Sequence, residues 1–241
     1  MKFLTMHRHD PHTEAGEPPP RELVGKMGAF IGEYAGRGEF LDGAGLGRSS
    51  NRSRLVFRGG EGTVERMTFR GHNELPSVIL KLTVKDRDQG IDWARRYGKI
   101  LRDCELELSP VNEPWDIGLI PRPENPPLHL LLIEKGEPGT RTPKLKADLT
   151  RLKKEMADAG VLEGDIPLAH SAKAKRLTFR DFQLTMLDGP FAESKELIGG
   201  FALMELASMD AAVAMATRYA EILGGTLEMD IRPVDTSAEI R

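Results

Sequence analysis

A chain that repeats itself at a fixed spacing can fold only in ways that bring two like units together, and this one repeats at 122 residues. Arg54-Leu55-Val56-Phe57-Arg58 lines up with Arg176-Leu177-Thr178-Phe179-Arg180. The same ungapped offset pairs Leu23 with Leu145, Gly38 with Gly160, Leu46 with Leu168, Ser49 with Ser171, Phe69 with Phe191 and Arg96-Tyr97 with Arg218-Tyr219. Positions 23 to 101 give 20 identities in 79 pairs, where average composition supplies about 5. After one slipped residue, Pro110-Val111 meets Pro233-Val234. Between the copies, Asn112 to Pro127 carries five prolines and can continue neither helix nor ladder. Two units are therefore expected, 1–120 and 121–241.

Each unit has its own periodicities. Leu23, Met27, Phe30 and Tyr34 form one helical stripe, repeated by Leu145, Leu149, Leu152 and Met156, with Gly38 and Gly160 at the stop positions. Phe3–Met6, Arg54–Phe57, Val64–Phe69 and the alternating Val78, Leu80, Leu82, Val84 predict strands. Asp88 and Asp210 mark the start of a second helix in each unit, and Leu106/Leu108 and Leu227/Met229/Ile231 the closing strand. The fold class expected is α+β: tandem ferredoxin-like βαββαβ units whose open sheet faces cover one another as an intramolecular dimeric α/β barrel, a pseudo-dimer within one chain.

Composition removes several function classes. Lys plus Arg number 34 against 37 Asp plus Glu, and no basic stretch is interleaved with aromatics, so no nucleic-acid partner is expected. No window has the length and apolarity of a membrane span or a signal peptide, and the one cysteine, Cys104, cannot form an intramolecular disulfide; a cytoplasmic protein without a membrane partner is expected. Cys104 opens a strand without a His partner and suits a core position.

Asp188-Gly189-Pro190 reads in two ways, as a turn or as a carboxylate beside apolar Phe191 suited to acid–base work. His170 could share proton transfer with Asp188, or stand solvated in its polar loop. Glu193 and Lys195 belong to an alternating charge run; with Phe191 they are the candidate ligand contacts, Lys195 attracting an anion. His7, His9 and Asp10 are the densest group of metal-ligand types, without any defined spacing to support them. No residue pattern names a cofactor.

The run from Asp188 to Phe201, DGPFAESKELIGGF, is similar to the signature of the DGPF-type branch of the YCII-related family, and Glu14-Ala15-Gly16, Met27, Phe30, Glu33, Leu41 to Leu46 and Ser49-Ser50 resemble the same family in the first unit. The resemblance implies dimeric α/β barrels of mostly unknown function, with some lyase-like or dehalogenase-like relatives and frequent genetic proximity to extracytoplasmic-function sigma factors. A small-molecule-binding protein, of lyase or hydrolase type if an enzyme, is the expectation; a non-enzymatic regulatory or interaction module is the alternative. Arg66-Met67-Thr68-Phe69 stands where the second unit has Asp188-Gly189-Pro190-Phe191, so one competent pocket, near Asp188, is expected rather than two.

Overall fold

The apolar stripes and alternations become elements close to where the periodicities put them. A computed structural model describes residues 1–8, 11–66, 74–181, 183–191, 197–224 and 226–236. The first half runs β1 (Lys2–Arg8), the short α1 (Pro11–Ala15), α2 (Arg21–Gly36), β2 (Phe40–Gly45), β3 (Ser53–Arg58), β4 (Glu61–Arg66), β5 (Pro76–Val84), α3 (Arg87–Leu101) and β6 (Cys104–Pro110). The second runs β7 (Leu128–Lys135), α4 (Pro143–Asp158), β8 (Leu162–Pro167), β9 (Lys175–Arg180), β10 (Gln183–Asp188), β11 (Ile198–Glu205), α5 (Met209–Ile222) and β12 (Leu227–Pro233). Thr142, Asp86 and Ser208 cap α4, α3 and α5 by accepting the Leu145, Gln89 and Ala211 amides, while Asp88 and Asp210 fall in first turns. Gly38 and Gly160, at φ of 70° and 69°, take the left-handed turn that ends α2 and α4.

Two six-stranded antiparallel sheets result, ordered β10-β9-β12-β1-β11-β2 and β4-β3-β6-β7-β5-β8. Three parts of the sequence expectation are corrected. Two open sheets stand in place of a closed barrel. The strand order exceeds βαββαβ, because each half has six strands rather than four, β2 and β8 among those added. And neither half builds its own sheet: β1 and β2 join β9–β12, while β7 and β8 join β3–β6. The exchange has a local cause. After Pro110 the proline-rich connection turns the chain back on itself, so that β7 lies antiparallel against β6, Leu108 opposite Leu132; β1 correspondingly lies between β11 and β12.

The strands alternate between two cores. Val78, Leu80, Leu82 and Val84 pack with Leu130 and Leu132 beneath α3 and α4, and Phe3, Met204, Met229 and Ile231 pack beneath α2 and α5. Between the sheets lie Leu4, Met6, Ile79, Leu131, Ile133 and Phe201. Each such side chain contributes about 1.5–3 kcal/mol on burial, which offsets the cost of the charged rows beside them.

Those rows are extensive. Glu107 on β6 meets Lys135 on β7 at 2.5 Å and Arg52 at 2.9 Å; Lys135 also meets Glu74 at 2.7 Å, and Arg54 closes on the other Glu74 oxygen. All five side chains are at most 3% exposed. In the other sheet Asp230 receives Arg8 at 2.5 Å and Arg176 at 2.7 Å. Two guanidinium groups, that of Arg52 and that of Arg232, stitch the sheets together. Arg52 donates to the carbonyls of Gly47 (2.8 Å) and Ile198 (2.9 Å), and Arg232 donates to Ala169 and to Pro76 (2.7 Å). Gly47 and Ala169, like Pro76 and Ile198, are 122 residues apart, yet Arg52 aligns with Ala174 and Arg232 with Ser109. The same positive group reaches matching carbonyls from unmatched positions.

Candidate functional site

The signature turn is built on Ser171. Gly189 donates its amide to Ala174 O (3.1 Å), a cis peptide joins it to Pro190, and the Phe191 amide donates to Ser171 Oγ (3.1 Å). A Cβ on Gly189 would stand 1.8 Å from the Ser171 carbonyl oxygen, so only glycine fits. Gly189→Ala is expected to lower the unfolding free energy by about 1–3 kcal/mol in urea denaturation, through overpacking against backbone that cannot retreat. Phe191 is buried with Leu75 and Ala174, and the Arg176 guanidinium lies 4.4 Å over its ring.

Around that turn the expected catalytic pair is placed but not joined. Asp188, 76% exposed, pairs with Lys175 Nζ at 2.6 Å. His170 accepts the Ala172 amide at Nδ1 (3.1 Å) as the cap of the 3₁₀ turn Ser171–Lys173, with Glu137 3.9 Å away. No hydrogen bond or ion pair links the two. Glu193 and Lys195 lie outside the described residues. Of the metal candidates, His9 and Asp10 also lie outside them, and His7 faces Tyr219, whose hydroxyl stands 2.9 Å from Nδ1. Burial pushes the Tyr219 phenol up, so the hydroxyl keeps its proton beside the imidazole. Among the described residues no group of three or more His, Cys, Asp or Glu side chains is arranged to hold a metal. Burial also raises the Cys104 thiol to about 12, which leaves it without thiolate near neutral pH.

A different cluster lines a cleft. Where the sheets part, between the edge strands β2 and β8, an opening of about 460 Å³ is bounded by Leu41, Asp42, Lys81, Glu163, Asp165 and Leu203. Lys81 on β5 reaches across to both Asp42 oxygens on β2, at 2.9 and 3.1 Å, and comes within 4.0 Å of Glu163 on β8. Thr83 donates to Glu163, and His129 Nε2 lies 3.9 Å from the same carboxylate while its Nδ1 meets Glu113 at 2.5 Å. The run Glu113–His129–Glu163–Lys81–Asp42 thus places two carboxylates on either side of an ammonium, continued by an imidazole–carboxylate pair. Such a row offers a polar molecule both charge signs, with Glu163 standing at ion-pair distance from Lys81 and His129.

This cleft escaped sequence reasoning because its residues come from five strands and the proline-rich connection, with no fixed spacing. One signal was present: Asp42 lies inside the Leu41–Leu46 segment that carries the first-half resemblance. Positions 41, 42 and 81 align with 163, 164 and 203, all around the same opening.

Comparison with known proteins places the second half in a defined group. Residues 131–234 match the model of the YCII-related domain. An uncharacterized protein of Rhizobium meliloti (strain 1021) is 30% identical over 91 residues, 38% of this chain and 73% of that protein. No solved structure gives a significant match.

Proposed function

The chain belongs to the YCII-related family through residues 131–234, and from that premise we propose that it binds a small molecule in the cleft between β2 and β8. The observation that carries the reading is Lys81, held by Asp42 and facing Glu163 at an opening of about 460 Å³, within the usual range of roughly 300–1,000 Å³ for small-molecule sites. Leu41 and Leu203 add apolar lining. Lys81 would take an anionic or carbonyl group of the ligand, and Glu163 with His129 would move a proton, as a lyase- or hydrolase-type reaction requires. The matched order of the two sheets supports the wider reading of two YCII-like units, 1–120 and 121–241, related as a pseudo-dimer about this cleft, with the DGPF-type signature in the second.

Thermal-shift screening with a panel of small carboxylates and carbonyl compounds, followed by calorimetric titration, tests the site. Lys81→Ala is expected to weaken binding at least tenfold, the scale of one charge-assisted hydrogen bond. Unchanged affinity in that variant would reject the cleft. A second reading places the ligand at the signature turn, and it is favoured by the anchoring of both the His170 and Gly189 loops on Ser171. Asp188→Asn separates the two, since it lowers affinity only if the ligand sits there.

A further inference from the structure

Among the described residues β10 is an edge strand paired only with β9, and all six of its residues are exposed. Leu184, Met186 and Leu187 are 41%, 49% and 57% exposed, unusual for apolar side chains on an open ladder edge. The edge of the other sheet at the matching place is managed differently: Gly62 and Val64 on β4 stand where Leu184 and Met186 stand on β10, with Phe57 filling the space over Gly62 and Val64 packed on the core. Leu184 and Met186 face the same side as Phe179 and Leu177, their partners on β9.

The hydrogen-bond phase of β10 sets the register that its outer edge offers. Gly189 donates to Ala174 O, continuing the register in which Asp188 faces Lys175. In an antiparallel ladder the residues bonded inward alternate. Leu187, Thr185 and Gln183 therefore turn their backbone groups toward β9, and Leu184, Met186 and Asp188 turn theirs outward. A two-fold axis through Thr185 makes this edge complementary to itself. Leu184 of one copy then lies opposite Met186 of the other, in reciprocal hydrogen-bonded pairs that give four backbone bonds and one four-residue apolar cluster. The two Thr185 residues face each other as a non-bonded pair.

We propose that two copies of this chain associate through antiparallel pairing of β10 with β10, centred on Thr185, to make a continuous twelve-stranded sheet. The interface is small and reversible in character. In analytical ultracentrifugation over a roughly hundredfold concentration range, the mass rises from 26.7 kDa toward twice that value, and Met186→Lys stays at the monomer mass. With Cys104 replaced by Ala, Thr185→Cys forms a disulfide-linked dimer on mild oxidation, since opposite residues of a non-bonded pair come within about 4.5 Å between Cα atoms. Thr63→Cys, at the matching place on β4, does not. A wild-type chain that remains monomeric throughout, or a dimer insensitive to Met186→Lys and not cross-linked through Thr185→Cys, would overturn the proposal.

Discussion

Glu107→Leu is expected to lower the free energy of unfolding by about 3–5 kcal/mol, measured by urea denaturation near neutral pH. The variant removes the carboxylate that meets both Lys135 and Arg52; it leaves Lys135 to share Glu74 with Arg54 and leaves the fully buried Arg52 with the Gly47 and Ile198 carbonyls in place of an anion. Removing one buried charge of each sign is less costly than removing the carboxylate alone, so Glu107→Leu with Lys135→Met is expected to recover part of the loss, the remainder being the Arg52 guanidinium that still lacks its carboxylate. The pH dependence has a definite sign. Burial alone would raise the Glu107 carboxyl, but Lys135 and Arg52 outweigh it and hold the group at about 2. A carboxyl depressed on folding stabilises above its ordinary range near 4.5 and ceases to do so as pH falls toward about 2. Acid unfolding of the wild type is therefore expected to steepen between those values, and the double variant to lose that component.

The second large effect runs in the opposite direction. Gly25, Gly28 and Gly32 lie inside α2, are exposed, and have nothing within 4 Å of an added Cβ. Each costs about 0.8–1 kcal/mol relative to alanine in a helix interior. The triple alanine variant is expected to gain about 2.5–3 kcal/mol, a rise in melting temperature of about 5–12 °C for a chain of this size. Gly98 in α3 supplies the contrast. A Cβ there would stand 2.2 Å from Phe57 Cε2, so Gly98→Ala is expected to destabilise. Differential scanning calorimetry of the triple variant beside Gly98→Ala checks both signs, and a triple variant no more stable than wild type would refute the assignment of those glycines to open solvent.

Much of the local structure was readable because it depends on short-range periodicity. The stripe Leu145, Leu149, Leu152, Met156 places α4, and the alternation Val78 to Val84 places β5. β2 was not readable: Phe40-Leu41-Asp42-Gly43-Ala44-Gly45 lacks apolar alternation and becomes a strand because β11 supplies its partners. The exchange of strands between halves was hidden for a related reason, since antiparallel pairing partners are chosen by contacts far apart along the chain. Asp188 illustrates the limit at the level of a site. Its turn chemistry was legible, whereas its ion pair with Lys175 depends on the register of β9 against β10. The cleft around Lys81 depends on five strands meeting, and no linear spacing encodes it.

The exchange of strands also bears on modularity. The stretch that matches the family model, 131–234, contains β9–β12 and most of β7 and all of β8, but within its own sheet β12 and β11 are bridged by β1, which lies outside that stretch. Excised, it would keep two strands whose inner edges have lost the neighbour that joins them. The unit recognisable by descent and the unit that closes its hydrogen bonds are therefore different pieces of the same polypeptide. An insertion, deletion or recombination point placed by sequence similarity alone would cut through a ladder, whereas each half can drift in its side chains, as the relocated Arg52 and Arg232 show, while the other continues to hold it in register.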